Sequence, residues 1–132
     1  MDPIQTLGGA AGLKKIADAL RAENFPIDAV YLIRLVADNH DDHWVVRLVT
    51  RANSQDVMVK TFELRNGGKI PMFGARIGFA VVPPEDSEAR QIIAQAKRYG
   101  YAPVEFGDVL LDRLYVDFAL VADFPGAHVA AA

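Results

Sequence analysis

The 132-residue chain has no cysteine, which excludes disulfides, thiol nucleophiles and metal sites built on thiolates. Histidine is scarce as well, with three in all, so any imidazole chemistry has few places to sit. No uninterrupted apolar run approaches the roughly 18 residues that a membrane-crossing helix requires, so no membrane partner is expected. The opening stretch MDPIQTLGGAAGL places an acid at position 2 and has no basic segment leading into an apolar one. A secretory signal is therefore not expected, and the cytoplasm is the expected location. Charge of one sign is also lacking: 14 basic against 17 acidic residues leave a net charge of −3, which argues against a general nucleic-acid binder.

What is present is the composition of a globular chain, 52% hydrophobic and 23% charged. Its length suits a single α+β domain over residues 1–132, with residues 1–9 as a loose arm and residues 124–132 as a frayed tail. From Ala10 to Glu23, Leu13, Ile16, Ala17 and Leu20 recur at three- and four-residue spacing and predict an amphipathic helix that Asn24 and Pro26 stop.

Residues 30 to 65 then read as three antiparallel strands joined by the polar turns Asn39–Asp42 and Ala52–Gln55. Asn66-Gly67-Gly68 signals a further turn, and Ile77–Val82 reads as a fourth strand ended by Pro83-Pro84. The acids around Asp86 open a second helix, with Ala89, Ile92, Ile93 and Ala96 as its buried stripe and Gly100 as its stop. Leu114 to Ala122 forms the last strand. The expected order is α-β-β-β-β-α-β: a four- to five-stranded antiparallel meander with both helices on one face and the final strand beside the first.

Those turn lengths place Arg34 opposite Arg47 and Arg47 opposite Lys60, so three cations form one row. Alternation surrounds the row with Leu32, Val45, Val49, Met58 and Phe62. Like charges directly opposite in a ladder are destabilising unless neutralised, and Asp117 on the last strand is the internal candidate to pair with Arg34. A sheet face with that many apolar side chains is larger than a monomer usually leaves bare. It predicts a protein-interaction or regulatory module that associates with itself, as a homodimer, or with another protein. The alternative is an enzyme or binding protein holding a small anionic ligand over Arg34, Arg47 and Lys60, with Lys69 to Arg76 as a lid.

No cofactor is expected and no catalytic set is assembled. The turn Asn39-His40-Asp41-Asp42-His43 collects groups that ligate divalent metals, but Asn and Asp are also what such turns use for their own backbone, so no metal site is expected. The expected element order is shared by the nuclease core of the PD-(D/E)xK type, whose motif the residues do not carry. Met58 stands two positions before Lys60 where a carboxylate is required, and Val46 and Arg47 stand where the preceding strand must supply a metal-binding acid.

Overall fold

The structure is a computed structural model that describes residues 2–36, 42–71 and 77–129. Two helices come first. Pro3–Leu7 (α1) starts with proline at its first position, and the Asp2 side chain accepts from the Ile4 N–H at 2.9 Å. Residues expected as a loose arm are therefore a capped helical turn, and Leu7 is fully buried. Gly9–Ala22 (α2) follows almost as its spacing predicts, with Leu13, Ile16, Ala17 and Leu20 on the buried side. The two helices touch closely at Gly12, where an added Cβ would overlap the Leu7 carbonyl oxygen.

Strands Ile27–Val36 (β1) and Asp42–Thr50 (β2) pair antiparallel. The next segment, expected as a strand, is the helix Ser54–Asn66 (α3). Its Asn53 side chain accepts from the Asp56 N–H at 3.1 Å, and Val57, Thr61 and Leu64 are buried. That is the four- and three-residue spacing of a helix face. The buried Thr61 hydroxyl donates to the Val57 carbonyl at 2.7 Å, so it leaves no unpaired polar group in the core.

Ile77–Val82 (β3) comes next, then Ser87–Tyr99 (α4), capped by Asp86 at one end and by Gly100 with φ 80° at the other. Tyr101–Ala102 (β4) and Val104–Leu110 (β5) lead into Tyr115–Asp123 (β6) and His128–Val129 (β7). Of the segment expected to fray, residues 124–129 are held: Phe124 is buried, and His128–Val129 pairs in parallel with Tyr101–Ala102; residues 130–132 lie outside the described residues.

The main sheet has the order β3-β2-β1-β6-β5. The α+β class and the placement of the last long strand beside the first agree with the expectation. The purely antiparallel meander does not, because β3 runs parallel to β2. With α3 in place of a strand, the chain crosses from β2 to β3 through a helix, which is how parallel neighbours are connected. The helices also divide. Leu13, Ile16 and Leu20 of α2 and Val57 and Leu64 of α3 pack with Val30, Leu32, Val46, Leu48 and Leu120 on one face. On the other, Ala89, Ile92 and Ala96 of α4 pack with Tyr31, Ile33, Val49 and Val121. Each large apolar side chain fully buried in these layers contributes roughly 1.5 to 3 kcal/mol.

Candidate functional site

The expected row of three cations is not assembled. Arg34 lies opposite Trp44 and Phe118, and Arg47 lies opposite Tyr31. Relative to the expected register, β2 has slid by three residues, and any odd slip exchanges its two faces. Arg34 is therefore on the side covered by α2, and Arg47 on the side covered by α4. Lys60 is on neither, since its segment is α3.

Each cation has a carboxylate from its own chain. Arg34 pairs with Asp117, as its environment in the ladder demanded, and its guanidinium also sits 5.4 Å from the centre of the Trp44 ring. The Arg47 Nε donates to Glu88 at 2.9 Å, and the Tyr31 hydroxyl donates to the same carboxylate oxygen at 2.7 Å. Burial and the neighbouring Glu88 charge push the Tyr31 hydroxyl well above the usual phenol range. Burial alone would lower the Arg47 pKa, but the hydrogen bond and charge of Glu88 hold it above its ordinary value. Lys60 meets Glu63 at 3.0 Å, and that hydrogen bond raises its pKa.

The five apolar residues expected to surround the row separate into two groups. Leu32 and Val49 are fully buried, under the α2/α3 layer and the α4 layer respectively, so the chain's own helices cover them. Val45, Met58 and Phe62 remain partly exposed, with Val45 on the α4 side of the sheet and Phe62 on the α3 side. Val45 pairs with Gly78 of β3, and the Phe62 ring meets Phe79 edge-on at 6.4 Å. Met58 lies one helical turn before Phe62 on α3. The strand they flank is one end of the sheet.

That strand, Ile77-Gly78-Phe79-Ala80-Val81-Val82, carries no charge over its whole length. Ile77 is buried, Gly78 is exposed, and the other four are partly exposed. Phe79 and Val81 pack toward α3, whereas Val82 packs with the α4 layer, so alternation places Gly78 and Ala80 on the α4 side as well. Strand β2 occupies one side of β3, and no described strand occupies the other. The edge of a sheet is where backbone N–H and C=O groups can pair with a further strand. Six consecutive uncharged residues stopped by Pro-Pro were the signal for this site in the sequence.

Elsewhere the described residues offer less. A cleft of about 540 Å³ runs beside α4, lined by Val49, Ile93, Arg90, Lys97, Asp28 and Asp112 among others, and its charges of both signs select no ligand class. Among the described residues no group of three His, Asp or Glu side chains could hold a metal. Of the histidine turn, Asn39, His40 and Asp41 lie outside the described residues, as do residues 72–76 of the expected lid. No described helix is long and apolar enough to cross a membrane. No protein-family model, curated protein or solved structure matches this chain.

Proposed function

We propose that the chain is a protein-association module whose working surface is the β3 end of the sheet, flanked by Val45, Met58 and Phe62. One observation carries this reading: β3 is an edge strand without a single charged residue, and five of its six residues keep some exposure. Edge strands of proteins that stay alone are commonly blunted by charge, proline or a bulge. This one has none of those over Ile77–Val82. Strand addition at such an edge obtains its affinity from main-chain hydrogen bonds and its selectivity from alternate side chains. The three cations, each held by a carboxylate of the chain, favour no competing anion site.

The test is retention of a bound protein, whether a second copy or another polypeptide, by three immobilised forms of the full chain. Gly78→Lys adds a charge without a clash, since a Cβ there would make ordinary contacts with the Val45 methyl groups at 3.5 and 3.7 Å and the Trp44 carbonyl oxygen at 3.8 Å. Glu105→Lys alters the opposite edge. A protein held by the wild type and Glu105→Lys but lost by Gly78→Lys is the expected result. Equal retention by all three would overturn the reading.

A further inference from the structure

We infer that the occupant of the β3 edge is a second copy of this chain, joined β3 to β3 in antiparallel fashion across a two-fold axis at Ala80. This rests on the association reading above and names its partner. The first argument is charge. An uncharged apolar edge is matched in character by another uncharged apolar strand, and β3 of a second copy is one, with no described strand on its outer side. The same chain's other edge, β5, is not. Glu105 and Asp108 are exposed there, and Asp108 has a positive φ of 51°, which breaks the regular strand. Pairing of β3 with β5 would run head to tail, whereas β3 with β3 is self-complementary and closes in a two-chain dimer.

The second argument is shape. A two-fold axis perpendicular to the sheet must set one residue opposite its own copy, because directly opposed residues share a face. If Phe79 were that residue, two aromatic rings would meet beside the paired α3 helices. With Ala80 at the axis, Phe79 lies opposite Val81 of the second copy, and Gly78 lies opposite Val82. The bulk of Val82 then fills the space that Gly78 leaves on the α4 side. Five residues of each strand pair, and the two sheets become one of ten strands. Partly exposed Phe62, packed edge-on against Phe79, flanks the seam from α3.

The experiment uses the full chain and its lack of cysteine. Ala80→Cys places a single thiol at the axis, where directly opposed residues bring Cα atoms to about 4.5 to 5.5 Å, within disulfide range. Mild oxidation of Ala80→Cys should give a covalent dimer in high yield, whereas Glu105→Cys on β5 should stay largely uncrosslinked. By light scattering the wild type should show twice the chain mass at both low and high salt, and Gly78→Lys should weaken association at least tenfold with its fold retained by circular dichroism. A wild type that dimerises while Ala80→Cys fails to crosslink would overturn the strand pairing. A wild type that is monomeric would overturn the second copy as occupant. The association reading fails separately, when Gly78→Lys retains the same bound protein as the wild type.

Discussion

At one end of the sheet, β5 exposes Glu105 and Asp108, turns Asp108 into a left-handed conformation, and presses Gly107 so close to β6 that an added Cβ would stand 2.4 Å from the Asp117 carbonyl oxygen. At the other, β3 exposes Gly78, where an added Cβ would make only ordinary contacts with Val45 and the Trp44 carbonyl oxygen, and no charge interrupts it. Neither strand has a described strand on its outer side. One carries the charge and irregular backbone that discourage further strands and the other carries neither, which is the contrast on which the proposed association at β3 rests.

The largest expected break in this contrast is Gly107→Ala. Its new methyl group meets backbone, which cannot rotate away, so β5 must separate from β6 at a cost of about 3 kcal/mol. A fall in the urea midpoint with little change in association would show it; an unchanged midpoint would mean that β5 sits further from Asp117. Next in size is the removal of the blunting devices. Glu105→Val with Asp108→Gly keeps the left-handed backbone available but discharges the edge and removes the Tyr115 hydroxyl's 2.6 Å bond to Asp108. With both ends open, assemblies larger than two chains should appear in light scattering.

Tyr31 lies on the central strand, two strands from either end, and separates stability from association. Tyr31→Phe should cost about 1 kcal/mol at neutral pH by removing the bond to Glu88 and leave chain mass unchanged. It should also flatten the alkaline decline. Because the folded chain holds the Tyr31 proton more tightly than the unfolded chain, the associated stability is complete below the unfolded phenol pKa of about 10 and is lost as pH rises beyond it. Melting from pH 8 to 11 compares the two forms. The smallest effect is expected for Gly78→Ala, which supplies a Cβ that fits and reduces the freedom of the unfolded chain. It should change stability by less than about 1 kcal/mol in the favourable direction.

Much of this architecture was legible from spacing alone. Helices α2 and α4 announced themselves because their apolar stripes are clean and their ends carry Asn24, Pro26, Asp86 and Gly100. Helix α3 was obscured because Val57-Met58-Val59 is a short apolar run rich in β-branched residues, which reads as a strand. The contrary signal was the Asn53 cap followed by Val57, Thr61 and Leu64 at helical spacing. Taking α3 for a strand closed the sheet as a meander and put both helices on one face.

The basic row failed for a different reason. Its geometry depended on the loop after β1, and pairing of Val36 with Asp42 moved the register by an odd number of residues. Nothing in the flanking strands could have corrected this, because each of β1 and β2 is apolar on both faces, as strands covered on both sides are. Strand β5 was missed because Glu105, Gly107 and Asp108 erase its alternation, and those same residues protect its edge. Arg34 with Asp117 was foreseeable because a cation among apolar neighbours requires a counter-charge whatever the register.

The central position of β1 also governs how the molecule is made. Its neighbour β2 follows directly, but its other neighbour, β6, begins at Tyr115, on the far side of α3, β3, α4 and β5. At ordinary translation speeds the intervening stretch takes roughly 4 to 16 s to emerge from a ribosome. For that interval the central strand of the sheet stands with one side unpaired. The nascent chain therefore passes through a state with a second acceptor edge, and chaperone binding or slow synthesis over residues 37–114 should decide how much of it aggregates before β6 closes the gap.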